Sequence, residues 1–132
     1  MVRKIVAVVA GLVSWLAVVT AAGIVLRLSW PAYASVAAAM TFTLTMLIAR
    51  LSIGAVATVV TGMVTASIAP PSLLTRLLPG VLLMLAFIPE HIRLWQTFPV
   101  WYHLTFFLSL VPLTYVGGLL LPVEGPAARP TY

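Results

Sequence analysis

Long apolar runs, separated by prolines and single basic residues, set the limits on how this chain can fold. Of the 132 residues 63% are hydrophobic and only 7% are charged, whereas about 25% are charged in a soluble domain. A chain of this length holds one domain, which cannot hide so much apolar surface inside itself, so lipid must be part of its solvent. The sequence therefore predicts an all-α integral membrane bundle.

The first apolar run predicts a membrane-spanning helix over about residues 5–27. Arg3 and Lys4 precede it, as in a secretory signal peptide. The apolar core of a signal peptide is only about 7 to 15 residues long, however, so we expect this longer run to stay as an anchor. Small side chains recur along it at spacings of three and four, on one stripe where another helix can approach closely. The small-residue stripe consists of Ala10, Ser14, Ala17 and Ala21.

The next stretch, residues 32–69, contains no proline and is too long for one crossing. As a single helix it would measure about 57 Å, against a hydrocarbon core of about 30 Å. Two crossings, over 33–48 and 51–68, fit this length, and so does one crossing after a segment along the membrane surface. Because the candidate break at Arg50 and Gly54 has no Pro, Asn or Asp to make a tight turn, we predict the second arrangement. One bent helix then crosses over 48–69, preceded by an interfacial helical segment over 32–47.

A second set of small residues lies on this crossing helix. Its members are spaced four apart, which lets two membrane helices cross with their backbones nearly touching. This small-residue ladder consists of Gly54, Thr58, Gly62 and Ala66.

Prolines divide the rest of the chain into two more crossings. Pro70 and Pro71 stop the second helix, and Ser72 can cap a third helix over 73–95 that is kinked at Pro89. Pro99 can begin a fourth helix over 99–121. Residues 1–121 thus form one transmembrane helical domain, and residues 122–132 are too polar and proline-rich to span, which predicts a C-terminal tail.

The basic residues predict the orientation of the four crossings. Arg3, Lys4, Arg76 and Arg129 would lie on one side, and the other two connections hold Arg27 and Arg93. Because short cytoplasmic segments are enriched in Lys and Arg, we expect both termini in the cytoplasm. A bacterial inner membrane is the expected location.

Several of the few ionisable side chains of this protein lie close together in residues 87–103, FIPEHIRLWQTFPVWYH. They hold one of its two acids, Glu90, both histidines, His91 and His103, and Arg93. Arg50 should arrive at the same depth, and we predict that it pairs with Glu90 in preference to Arg93, clamping the second and third helices together. The histidines are expected to bond carbonyls near helix ends; ligation of a haem, pigment or metal is the alternative.

These residues do not predict catalysis. The second acid, Glu124, is in the opposite tail and the chain has no Asp and no Cys. Adjacent residues such as Glu90 and His91 point about 100° apart on a helix, which does not suit a catalytic triad. We therefore predict no enzyme, no catalytic residue, no metal site and no cofactor.

The segments FIPEHIRLW and FPVWYHL resemble small bacterial inner-membrane proteins that have four predicted crossings. The resemblance covers the last two helices and rests on the placement of aromatic residues and prolines. It implies the topology and no function.

These features predict a non-catalytic accessory or scaffolding subunit that packs against larger membrane proteins, an energy-transducing complex being one setting. Membrane lipids and other integral membrane proteins are the expected partners, as a hetero- or homo-oligomer. Nucleic acid is not expected, because the seven basic residues are spread along the chain rather than clustered. The alternative is a small transporter or channel with Glu90, Arg50 and Arg93 at its outer mouth.

Overall fold

The computed structural model describes residues 1–121, which form five helices and no strand. The helices are α1 (Val2–Ser29), α2 (Pro31–Ala37), α3 (Leu44–Ile68), α4 (Leu73–Arg93) and α5 (Val100–Leu120). Each of the helices α1, α3, α4 and α5 is long and apolar enough to cross a membrane, and they pack as a bundle. The predicted fold class is confirmed, while the predicted tail, 122–132, lies outside the described residues.

Local sequence explains where the helices begin. Pro31 occupies the first turn of α2, and the Thr43 side chain accepts a hydrogen bond from the Met46 backbone N–H at the start of α3. Ser72 and Thr75 form a capping box at the start of α4, in which each side chain bonds the other's backbone N–H. Pro99 directly precedes α5. Proline and hydroxyl side chains therefore set these boundaries.

The connection between α2 and α3 corrects one prediction. Residues 32–47 do not form one helical segment, because α2 ends at Ala37 and a turn with Met40 at φ 58° leads into Thr43, the cap of α3. The break lies there and not at Arg50 and Gly54, which are both inside α3. A left-handed conformation costs a residue other than glycine about 1–2 kcal/mol. Packing of Met40 and Phe42 against the buried cluster around Leu47 offsets this cost.

Helix α3 lies at the centre of the bundle, with α1 on one side and α5 on the other, and α4 packs mainly on α5. The interfaces are lined with buried threonines. The hydroxyls of Thr61, Thr65 and Thr114 each donate to the carbonyl four residues earlier in their own helix. Because these hydroxyls are satisfied locally, the threonines pack between helices as compact apolar side chains do.

Backbones of α3 and α5 touch at two glycines. A Cβ atom added to Gly62 would lie 2.1 Å from the Thr114 carbonyl oxygen, and one added to Gly117 would lie 2.1 Å from the Val59 carbonyl oxygen. The small-residue ladder is thus used inside the bundle at Gly62, and also at Thr58, whose hydroxyl accepts a hydrogen bond from the Trp15 indole at 3.1 Å.

The small-residue stripe of α1 lies beside the buried face of that helix. Ala7, Gly11 and Trp15 are buried against the bundle. In the stripe, Ala10 and Ser14 are half-buried, whereas the other two members, Ala17 and Ala21, are exposed. Half of this stripe therefore faces outward.

Candidate functional site

A cavity of about 470 Å³ lies at the end of the bundle where α1 and α4 finish and α3 and α5 begin, called here the Arg50 end. Every helix contributes to its walls, which are mostly aromatic and aliphatic. The lining residues are Trp15, Leu16, Val19, Gly23, Tyr33, Arg50, Ile53, Gly54, Ala86, Phe87, Glu90, His91, Leu94, Phe98, Tyr102 and Phe106. Such a volume is typical of small-molecule sites.

Arg50 brings a positive charge into this cavity. Its Nη1 donates a hydrogen bond of 2.8 Å to the hydroxyl of Tyr33, which is buried. Its guanidinium carbon lies 4.7 Å from the centre of the Phe42 ring and 6.0 Å from that of Phe98, within cation–π range. Its Nε is buried and, among the described residues, has no hydrogen-bond partner.

The short helix α2 and the turn after it explain how Arg50 acquires these neighbours. Pro31 starts α2 directly after α1, which places Tyr33 over the end of the bundle, and the Met40 turn returns Phe42 to α3. The Tyr33 and Phe42 rings stack with their centres 5.1 Å apart. The guanidinium is thus held by a hydrogen bond to Tyr33 and by the ring of Phe42, both of which precede it in the chain.

The ion pair of Glu90 corrects a second prediction. Its Oε1 lies 2.7 Å from Nη2 of Arg93, three residues on along α4, and this is the one ion pair in the part of the chain that the structure describes. The predicted pair of Glu90 with Arg50 does not form, because Tyr33 and Phe42 occupy the Arg50 guanidinium. The side chains of Glu90 and Arg93 are 40% and 68% exposed. An ion pair this exposed contributes at most about 1 kcal/mol.

The two histidines bond each other rather than backbone carbonyls. Nδ1 of His91 and Nδ1 of His103 are 2.7 Å apart, and both residues are buried. One Nδ1 must donate a hydrogen bond and the other must accept it. Trp95 stacks on His103 with the ring centres 4.8 Å apart, and Phe106 stacks on His91 at 4.5 Å. This pair joins the end of α4 to the start of α5.

In the described part of the chain, the histidine pair has no third metal-ligating side chain beside it. Within residues 1–121, no three His, Asp or Glu side chains lie close enough to hold a metal ion. The hydrogen bond also occupies Nδ1 of both rings. Nε2 of His103 is buried and has no partner among the described atoms.

All five residues of the predicted polar cluster meet at the Arg50 end. Arg50, Glu90 and His91 line the cavity, Arg93 binds Glu90, and His103 binds His91. Tyr33 and Phe42 were not among the predicted site residues. The sequence contained a signal for Tyr33, which follows Trp30 and Pro31, because a tyrosine with a buried ring usually needs a hydrogen-bond partner for its hydroxyl.

The bundle of four apolar helices defines the chain as a multi-pass helical membrane protein. Comparisons with models of protein families, with curated proteins and with solved structures find no match. Function is therefore inferred from the geometry of the cavity.

Proposed function

We propose that the protein binds, in the cavity at the Arg50 end, an amphipathic molecule with an anionic head, and that Arg50 binds the head. One observation carries this proposal: Arg50 lines a cavity within the bundle and has no carboxylate partner in the described part of the chain. An ionisable side chain at membrane depth is expensive and normally marks a functional site.

The charge balance of the cavity favours an anion. Glu90 is the other charged residue of the lining, and Arg93 already compensates its charge. Arg50 is half-buried, and partial removal of an uncompensated charge from water costs free energy. The aromatic face of Phe42 and the Tyr33 hydroxyl offset part of this cost. A carboxylate or phosphate would supply the missing countercharge and can accept two parallel N–H bonds from a guanidinium.

The remaining walls suit an apolar tail. Leu16, Val19 and Ile53 provide aliphatic surface next to the Arg50 head group site. Phe87 contacts Trp15 with ring centres 4.9 Å apart and Phe106 at 5.3 Å, and this aromatic group packs on the buried core of the bundle. Because the bundle is filled beyond these rings, the geometry favours a binding site over the through-path of a channel.

Binding can be measured with dodecanoate and dodecyl phosphate as the probes, on protein in nanodiscs of neutral phosphatidylcholine. Dodecanol and dodecyltrimethylammonium are matched neutral and cationic controls. The two anions should raise the unfolding temperature, because a ligand that binds only the folded state stabilises it. Arg50→Gln should weaken the affinity about 10- to 100-fold, the value of one charge-assisted hydrogen-bonded contact.

Arg27→Gln is the matched control, because it removes an exposed guanidinium that neither lines the cavity nor pairs with Glu90. It should leave the affinity within about twofold. Equal stabilisation by dodecanol and dodecanoate, or equal losses in the two arginine variants, would show that Arg50 does not select an anion.

An accessory subunit is the second candidate function, and the outward half of the small-residue stripe favours it. Ala17 and Ala21 are exposed. Membrane helices associate through such surfaces. If the protein is such a subunit, Ala17→Leu should release a co-purifying membrane protein without changing the free energy of unfolding. Ala7→Leu, which adds bulk inside the bundle, should destabilise the fold.

We retain the bacterial inner membrane and cytoplasmic termini as part of the proposal. The basic residues Arg3, Lys4 and Arg76 at one end support this orientation. Cysteines introduced at Ser72 and Thr97 in this cysteine-free chain should react with an impermeant reagent from the cytoplasmic and the outer side, respectively. Reaction of both from one side would reject the orientation.

A further inference from the structure

A second concave site lies at the opposite end of the bundle, where α1 and α4 begin, called here the Lys4 end. It is a groove of about 570 Å³ between α1 and α4. Aliphatic side chains form nearly all of its surface, among them Val8, Leu12, Leu78 and Leu82, and Lys4 is the one charged residue that lines it. The groove exists because α1 packs mainly on α3 and α4 mainly on α5, so these two helices touch little.

The groove opens sideways, toward the surface that a membrane would cover. Ile5, Val9 and Leu74 line it and each is more than half exposed. A molecule that lies in the bilayer can therefore enter it without crossing a polar surface. An extended hydrocarbon chain matches its apolar walls.

Among residues 1–121, the charges at this end are all positive. Arg3 and Lys4 begin α1, and Arg76 lies in the first turns of α4. The single acid of residues 1–121, Glu90, is at the Arg50 end. The positive ends of the α1 and α4 macrodipoles flank the groove, while the negative ends of α3 and α5 lie at the same end of the bundle outside it.

Arg3 and Arg76 are engaged with the protein, which leaves Lys4 for the groove. The Arg3 Nε donates to the carbonyl oxygen of Ile68, and the Arg76 guanidinium lies 5.7 Å from the centre of the Tyr115 ring. The charges of Arg3 and Arg76 still contribute to the local potential, whereas Lys4 lines the groove itself. An ammonium at the end of an apolar groove is complementary to a phosphate joined to an acyl chain.

We infer that the groove at the Lys4 end binds an anionic phospholipid, with one acyl chain between α1 and α4 and the phosphate on Lys4. A free soluble anion would not use the aliphatic walls, and a zwitterionic lipid would gain less from three positive charges. The site is separate from the cavity at the Arg50 end and does not depend on the function proposed for it.

The probes for this inference are dioleoylphosphatidylglycerol and dioleoylphosphatidylcholine, which share acyl chains and differ in net charge. Purified protein in mild detergent is incubated with an equimolar mixture of both lipids, and native mass spectrometry counts the lipids retained. We expect phosphatidylglycerol adducts to exceed phosphatidylcholine adducts, and the phosphatidylglycerol adduct that persists in Arg50→Gln is the one assigned to the groove. Lys4→Gln should reduce that preference about fivefold, the value of one basic residue at an anionic surface.

Two matched pairs of variants separate charge from shape. Arg27→Gln removes a basic residue at the other end of α1 and should leave the lipid preference unchanged. Leu78→Trp fills the groove and should remove the adduct. Leu85→Trp adds the same bulk at an exposed position of α4 that lines neither the groove nor the cavity, and should keep the adduct. Arg50→Gln should also keep it, which distinguishes this site from the cavity.

Several results would overturn the inference. Equal retention of the two lipids would show that charge is not recognised, and an unchanged preference in Lys4→Gln would show that Lys4 is not the contact. Loss of a dimer in Leu78→Trp with full lipid retention would assign the groove to a second copy of the chain. Size-exclusion profiles of the variants identify any that fail to fold. Lys4→Gln changes an exposed side chain and should fold, so it tests the inference even where a tryptophan variant does not fold.

Discussion

Substitution of Gly62 by alanine tests whether the contact between α3 and α5 holds the bundle together. The added Cβ would lie 2.1 Å from the Thr114 carbonyl oxygen and 2.9 Å from the Gly118 nitrogen. Both are backbone atoms, so no rotamer change relieves the overlap, and the two helices must separate by roughly 1 Å. A gap of that size removes up to about half of the van der Waals energy of the atoms concerned.

The magnitude follows from two opposing effects. Overpacking costs about 1–3 kcal/mol, and overlap with backbone places this site at the upper end of that range. Alanine in place of glycine gains about 1 kcal/mol in helix propensity. We therefore expect Gly62→Ala to lower the free energy of unfolding by about 2 kcal/mol. Reversible unfolding in mixed micelles with increasing sodium dodecyl sulfate, followed by tryptophan fluorescence, measures it.

Two glycines elsewhere provide matched controls. A Cβ added to Gly54 would meet its nearest neighbour, the Phe106 ring, at 3.8 Å, and one added to Gly23 would meet nothing within 4 Å. Both alanine variants should be as stable as the wild type or more stable. If Gly62→Ala behaves like Gly54→Ala, the backbone contact does not determine the stability of the bundle and the reasoning is refuted.

Two further predictions concern the polar residues of the Arg50 end. His103→Leu should destabilise the protein by about 1–3 kcal/mol, because it leaves Nδ1 of buried His91 without a partner, and the double variant with His91→Leu should recover part of the loss in the same unfolding assay. Additive losses would argue against the hydrogen bond. Glu90→Gln should cost less than about 1 kcal/mol, and a double-mutant cycle should show coupling with Arg93 and none with Arg50. Coupling with Arg50 instead would restore the pairing that the sequence suggested.

The number and extent of the long helices were predictable because hydrophobicity and prolines act locally. The runs that begin near Ile5, Leu73 and Val100 each read as a crossing without knowledge of their neighbours. The end of α2 was not predictable in this way. Met40 adopts a left-handed conformation that its own side chain disfavours, and it is held there by contacts that form only in the folded bundle.

The polar cluster was predictable in position but not in pairing. Charged and histidine side chains are rare in this chain, so Arg50, Glu90 and His91 could be identified as candidate site residues. The predicted lengths of their helices placed them at a similar depth in the membrane. Their partners depend on side chains that approach from other helices. The hydroxyl of Tyr33, 17 residues before Arg50 in the chain, accepts a hydrogen bond from the Arg50 guanidinium. His103 bonds His91 across the connection between α4 and α5.

The hydrogen bonds of the buried threonines have a consequence for how the protein reaches the membrane. Thr58, Thr61, Thr65 and Thr114 donate to carbonyls of their own helices, so each hydroxyl is satisfied before any other helix arrives. A newly made segment can therefore enter the bilayer alone without carrying an unsatisfied threonine hydroxyl into hydrocarbon. Insertion and assembly then become separate steps, and the order in which the helices leave the insertion machinery need not match the order in which they pack.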